Sequence, residues 1–338
     1  MVDLSTNYLG LSLANPVIAS SSPLTGDIDI ARQLEDIGVS AIVMPSLFEE
    51  SLAEDEAQMH RFLDFQDTGF GEANSFLPEP SHYQSHLDDY LNLITRLKRS
   101  LSIPVIGSLN GVSLAGWLEH AKDLEAAGCD ALELNIYYVA ADTRQAEADI
   151  ERHFLGILEK VRAEVAVPLS VKLSHSFSSL GHFVRQLEQC GADGVVLFNR
   201  FYLPDIDLEA LEIVPKIYLS SPTECLERIR WLALLRDHVS LNMAASGGFY
   251  QATDVVKALL AGADVVCLCS VLLQSGVHAA SSILEDLQNW LVEKEYHSVA
   301  QLRGSVSQGH AINPVAYEHS NYQAVLSSYA PVDEPRES

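Results

Sequence analysis

Three observations predict a (β/α)8 TIM barrel, an α/β fold. One helix-to-strand joint is written four times over, further strands open on proline between those joints, and eight strand starts alternate with helical patterns. Such alternation implies parallel pairing with right-handed crossovers. Eight units within about 270 residues suit a closed barrel better than an open sheet. A doubly wound nucleotide-binding sheet would carry GxGxxG after a strand, and no strand here is followed by it.

The repeated joint reads LEDIGVSAIVM (34–44), LEAAGCDALELN (124–135), LEQCGADGVVLFN (187–199) and LLAGADVVCLCS (259–270). In each, a helical pattern meets Gly38, Gly128, Gly191 or Gly262 as its left-handed cap, and an apolar strand follows about three residues later. Proline opens NPVIASSS (15–22), IPVIGSLNG (103–111) and VPLSVKLS (167–174), and HVSLNMAASGG (238–248) adds one more strand. The strands then start near residues 17, 41, 105, 131, 169, 194, 240 and 265.

Two long excursions interrupt the units: the polar stretch 46–85, read as a lid or a disordered insertion, and residues 199–224. Both follow strand ends, which places them on the C-terminal rim where barrels of this type build their sites. From about Asn313 the chain is polar and proline-bearing. The domain reading is one barrel over 1–312 and a tail over 313–338.

Composition narrows the partners. A formal net charge of −25 opposes binding to phosphate backbones and anionic lipid, so neither nucleic acid nor a membrane surface is expected. The five cysteines, at 129, 190, 225, 267 and 269, form no CxxC pair and no Cys/His spacing for zinc, so no metal site is expected. MVDLSTNYLG lacks the pattern of a signal peptide, and the chain has no apolar run long enough for a membrane helix. The reading is a cytoplasmic protein with reduced thiols.

The strand ends present hydrogen-bonding groups: Ser20, Ser21 and Ser22 after the first, Pro45 and Ser46 after the second, and Ser108 and Asn110 after the third. Asn135 and two tyrosines follow the fourth, Lys172 ends the fifth, and Asn199 and Arg200 follow the sixth. Ser246-Gly247-Gly248 and Cys269-Ser270 close the list. This lining suits a flat, heteroatom-rich ligand; no carboxylate pair or Ser/His/Asp set stands out for hydrolysis. Gly247-Gly248 and the loop after the eighth strand match the phosphate device of many barrels. Lys172, in an apolar strand, must reach solvent or meet an anion or a polar partner. His82 and His86 share i, i+4 spacing but lack a third ligand, and read as loop residues.

With these residues in place, the chain resembles the dihydroorotate dehydrogenase family, flavin enzymes on a (β/α)8 barrel, and its soluble class most. The likeness runs from NYLGLSLANPVIASSSP (7–23) through LNGVSLAGWLEHAKDLEAAGCDALELNI, VPLSVKLS and ASGGFYQATDVVKALLAGADVVCLCSVL to EYHSVAQLRGSVSQ (295–308). It implies bound FMN. Ser20, Ser21, Ser22 and Ser46 fall near the flavin, Lys172 at the flavin-contacting lysine, and Ser221, Gly247, Gly248, Cys269 and Ser270 at the phosphate loops. Asn135 stands where flavin and substrate are both contacted, and Asn110 and Asn199 line the substrate side.

The family's cysteine or serine base is here Tyr138, its substrate asparagine is Ala140, its second-strand lysine is Pro45, and a serine beside Asn199 is Arg200. A tyrosine is a better proton donor than base at neutral pH. The resemblance therefore implies oxidation of dihydroorotate to orotate, in pyrimidine biosynthesis, with an altered proton-transfer group. The alternatives are an FMN-dependent ene-reductase acting on another unsaturated carbonyl compound, or a Schiff-base lyase using Lys172. A small-molecule substrate, an unidentified electron acceptor and, by analogy with soluble relatives, a homodimer complete the expectation.

Overall fold

In the computed structural model, described for residues 2–52, 85–111, 113–136, 138–200, 203–318 and 326–327, local punctuation sets the architecture. Helix α1 (Ile28–Ile37) begins at Asp27, whose carboxylate accepts the N–H groups of Asp29 and Ile30. It stops at Gly38, where φ reaches 105°, a value costly for any residue with a Cβ. The chain then enters the next strand.

The strands are β1 (Val17–Ala19), β2 (Ile42–Val43), β3 (Val105–Asn110), β4 (Ala131–Asn135), β5 (Leu169–Leu173), β6 (Gly194–Leu197), β7 (Asn242–Ser246) and β8 (Val265–Leu268). Each pairs in parallel with the next, and β8 pairs with β1, so the sheet closes. The expected (β/α)8 barrel is the observed fold. Around it lie α2 (His86–Ser100), α3 (Leu114–Ala126), α4 (Glu147–Glu164), α5 (Leu180–Gln189), α6 (Cys225–Leu235) and α7 (Ala252–Ala261). Short α8 (Ser270–Ser275) leads into α9 (Ala279–Glu293).

Side chains alternate between two layers, as strand geometry requires. Ile42, Leu132, Leu134, Val171 and Val195 pack outward under the helices. Ile18, Val43, Ile106, Ala131, Val196, Ala244 and Val265 fill the interior, where Tyr8, Leu9 and Leu13 join them. Those three come from an antiparallel hairpin, Thr6–Tyr8 with Leu11–Leu13, that the sequence pattern did not reveal. Because Ala131 faces inward, Glu133 and Asn135 face inward too, one and two steps nearer the C-terminal mouth.

The excursion after β6 contains an antiparallel pair, Asp205–Asp207 with Glu212–Val214, where only a loop was expected. Of the excursion after β2, residues 53–84 lie outside the described residues, as does His82. Leu47–Phe48, just beyond β2, pairs with the end of β3. Among the described residues, no helix is long and apolar enough to cross a membrane.

Candidate active site

Asn135 occupies the centre of the mouth. Its Nδ2 donates to Ser46 Oγ at 2.8 Å and to Ser108 Oγ at 2.9 Å, and those two hydroxyls lie 2.9 Å apart. Ser21 Oγ reaches Ser46 at 3.4 Å. From α2, Tyr90 donates to the Pro45 carbonyl at 2.6 Å and pins the backbone ahead of Ser46. Burial holds that phenol well above its ordinary pKa, so it remains a donor. The amide of Asn135 is thus fixed by its nitrogen, while its buried Oδ1 has no hydrogen-bond partner among the described residues. A buried acceptor without a donor is costly unless a ligand supplies one.

Beside this group lies an ion pair. Lys172 Nζ stands 3.2 Å from Glu133 Oε1, with side-chain exposures of 8% and 2%. Burial works against charge on the lysine, but Glu133 outweighs it and raises the lysine pKa above its ordinary value. Lys172 therefore holds its proton, the wrong state for a Schiff-base nucleophile. Glu133 escaped the sequence reading, although its spacing of two from Asn135 was the available signal.

A second cluster joins the loops after β6, β7 and β8. Gly248 donates its N–H to Ser220 Oγ at 3.1 Å, and Ser220 Oγ and N–H both donate to Ser270 Oγ, at 2.8 and 3.1 Å. Ser220 is buried, while Ser221 is exposed, its N–H bonded to Glu224 and its hydroxyl 3.0 Å from that of Thr223. Gly247 and Gly248 take φ values of 93° and 87°. A Cβ on Gly248 would stand 2.4 Å from the backbone nitrogen of Cys225. Arg228, buried on α6, donates to the Ser246 carbonyl at 3.0 Å and lies directly against Gly247. Nothing in the sequence pattern singled it out.

Cys269 links the two clusters, its Sγ 3.9 Å from the Ser21 carbonyl. Burial raises its thiol pKa, against the pull of Lys172. Ser20 is buried and donates its N–H to the Leu268 carbonyl, whereas Ser22 is spent on the turn Pro23–Gly26, where Thr25 donates to its carbonyl. Asn110 is buried at the end of β3. Asn199, half-buried after β6, accepts the N–H of Arg200 at 2.9 Å. Arg200 itself lies 3.6 Å from Glu224.

Tyr138 belongs to neither cluster. It is 39% exposed, donates to Gln145 Oε1 at 2.6 Å and sets its ring edge-on to Phe154 at 5.8 Å. Tyr137 lies outside the described residues.

The chain matches, over residues 84–291, the model of the family described as Dihydroorotate dehydrogenase. The catalytic subunit of dihydroorotate dehydrogenase B (NAD(+)) from Thermoplasma acidophilum is 24% identical over 308 residues, covering 90% of this chain and 99% of that protein. Dihydroorotate dehydrogenase A (fumarate) from Lactobacillus helveticus is 26% identical over 320 residues, with coverage of 90% and 99%. The B-type catalytic subunit from Shouchella clausii is 25% identical over 320 residues, with 90% and 98% covered.

Proposed function

The chain belongs to the dihydroorotate dehydrogenase family, flavin-dependent oxidoreductases acting on CH–CH groups, and on that premise we propose that its mouth binds FMN and oxidises dihydroorotate to orotate in pyrimidine biosynthesis. The reading treats residues 1–312 as one flavin-binding barrel with a polar tail. The observation that carries it is the buried Oδ1 of Asn135, without a hydrogen-bond partner among the described residues, beside the buried Lys172–Glu133 pair. An imide N–H or ribityl hydroxyl of a flavin would supply the missing donor, so the residues fit the cofactor.

When bound, FMN supplies the hydride acceptor. Lys172 would hold an ammonium beside the electron-rich edge of the ring, and Ser46 and Ser108 would keep Asn135 turned toward it. Gly247, Gly248, Ser220 and Ser270 would take the phosphate end, with the buried Arg228 behind Gly247. Asn110 and Asn199 would face the substrate, and Tyr138 would carry the proton. For that last role the Tyr138 hydroxyl must exchange Gln145 for the substrate.

The electron acceptor is open between the NAD(+) and fumarate named for the curated relatives and a third partner. Anaerobic addition of dihydroorotate to FMN-loaded protein is the test. Loss of the flavin's visible absorbance supports the reading. Bound FMN that dithionite bleaches and dihydroorotate does not would move the substrate to another unsaturated carbonyl compound. Protein that takes up no FMN overturns the cofactor.

A further inference from the structure

Glu133 and Lys172 meet where the barrel interior changes from apolar to polar. The register of β4 and β5, with Glu133 opposite Ser170 and Asn135 opposite Lys172, brings the two side chains together. Neither has appreciable contact with bulk water. An ammonium buried to that degree without a counter-charge sheds its proton. Among the described residues, the other titratable groups facing the pair are Cys267 on β8, Cys269 just after it, Tyr8 from the N-terminal hairpin and Tyr90 from α2. Burial keeps those four neutral, so the counter-charge comes from Glu133.

From this geometry we infer that Glu133 is a positioning residue for the redox cofactor, keeping Lys172 protonated at the mouth in both oxidation states, so that two electrons enter with one proton rather than two. The inference rests on the flavin reading above. Hydride from the substrate brings two electrons and one proton, and the negative charge that remains is met by an ammonium already in place. Without Glu133, Lys172 is neutral before reduction and takes the second proton from solvent as the electrons arrive.

The measurement is the midpoint potential of the FMN-bound protein, by dye equilibration, from about pH 6 to 9. One proton per two electrons gives about 30 mV per pH unit, and two protons give about 60. The wild-type protein is expected to keep the shallow slope throughout. Glu133→Gln is expected to steepen to about 60 within that window, and Glu133→Asp to keep the wild-type slope. A Glu133→Gln protein with the wild-type slope overturns the inference. So does a wild-type protein that itself shows about 60, an arm that decides even if the variant fails to hold FMN. A wild-type protein with no flavin couple removes the flavin reading, and this inference with it.

Discussion

Ser220 Oγ accepts the backbone N–H of Gly248 at 3.1 Å and so ties the loop after β6 to the glycines that follow β7. The same hydroxyl donates to Ser270 after β8, and Tyr250 holds the Ser220 carbonyl at 2.5 Å. Ser220→Ala leaves a buried N–H without a partner, at a cost of about 1–3 kcal/mol. Fluorescence titration should show FMN binding about tenfold weaker and riboflavin binding unchanged. An equal loss for both flavins would place Ser220 away from the phosphate end. Gly248→Ala should be worse, because its Cβ would strike the backbone of Cys225 and φ is 87° there.

Lys172→Met should lower stability by about 3–5 kcal/mol, since it leaves the Glu133 carboxylate buried and alone. Adding Glu133→Gln to it should recover most of that loss, giving strongly non-additive values in urea denaturation of the FMN-free protein. Additive single-variant effects would mean that the two groups are not a unit. The pair's stabilisation follows a raised lysine pKa, so it is fully present below lysine's ordinary value and is lost only as pH rises through the higher folded value.

Barrel punctuation was legible because it is local. A glycine cap such as Gly38, or a proline before Val105, states its role within a few residues, and eight strands emerged within two residues of where they lie. Contacts made across the barrel were not legible in that way. Glu133 shows its role only when β5 brings the Lys172 side chain within 3.2 Å of it, and Ser220 rather than Ser221 bonds to Gly248 and Ser270 because a loop folds back onto Ser270. The hairpin Thr6–Tyr8 with Leu11–Leu13 has strands of three residues, too short for alternation to register. Tyr138 depends on the conformation of its loop, which no pattern encodes.

Every cysteine in the protein has its thiol pKa raised. Burial comes first in each case, and it takes Cys129 to about 12 and, with Glu159 beside it, Cys190 to about 11. Thiolate is the reactive form, so native protein at pH 8 should react with Ellman's reagent without a rapid phase. Guanidinium should then expose all five thiols. A rapid stoichiometric phase in native protein would show a thiolate in the fold, and Cys269 at the mouth would be the first suspect.

Tyr138→Phe isolates the proton-transfer question. The side chain is partly exposed and, among the described residues, its hydroxyl bonds only to Gln145 from its own loop, so losing the oxygen should change stability by no more than about 0.5 kcal/mol. The ring remains against Phe154, and flavin binding should not move, because no bond joins Tyr138 to the Asn135 or Ser220 clusters. If the hydroxyl carries the proton, turnover should fall about 100-fold or more. Gln145→Ala frees the hydroxyl without removing it, and should leave turnover within a few-fold of wild type. Loss of turnover in both variants would show that the loop's shape, held by Tyr138 and Gln145 together, is what the reaction needs. Full turnover in Tyr138→Phe would leave the proton to a solvent-linked group and assign Tyr138 to packing alone.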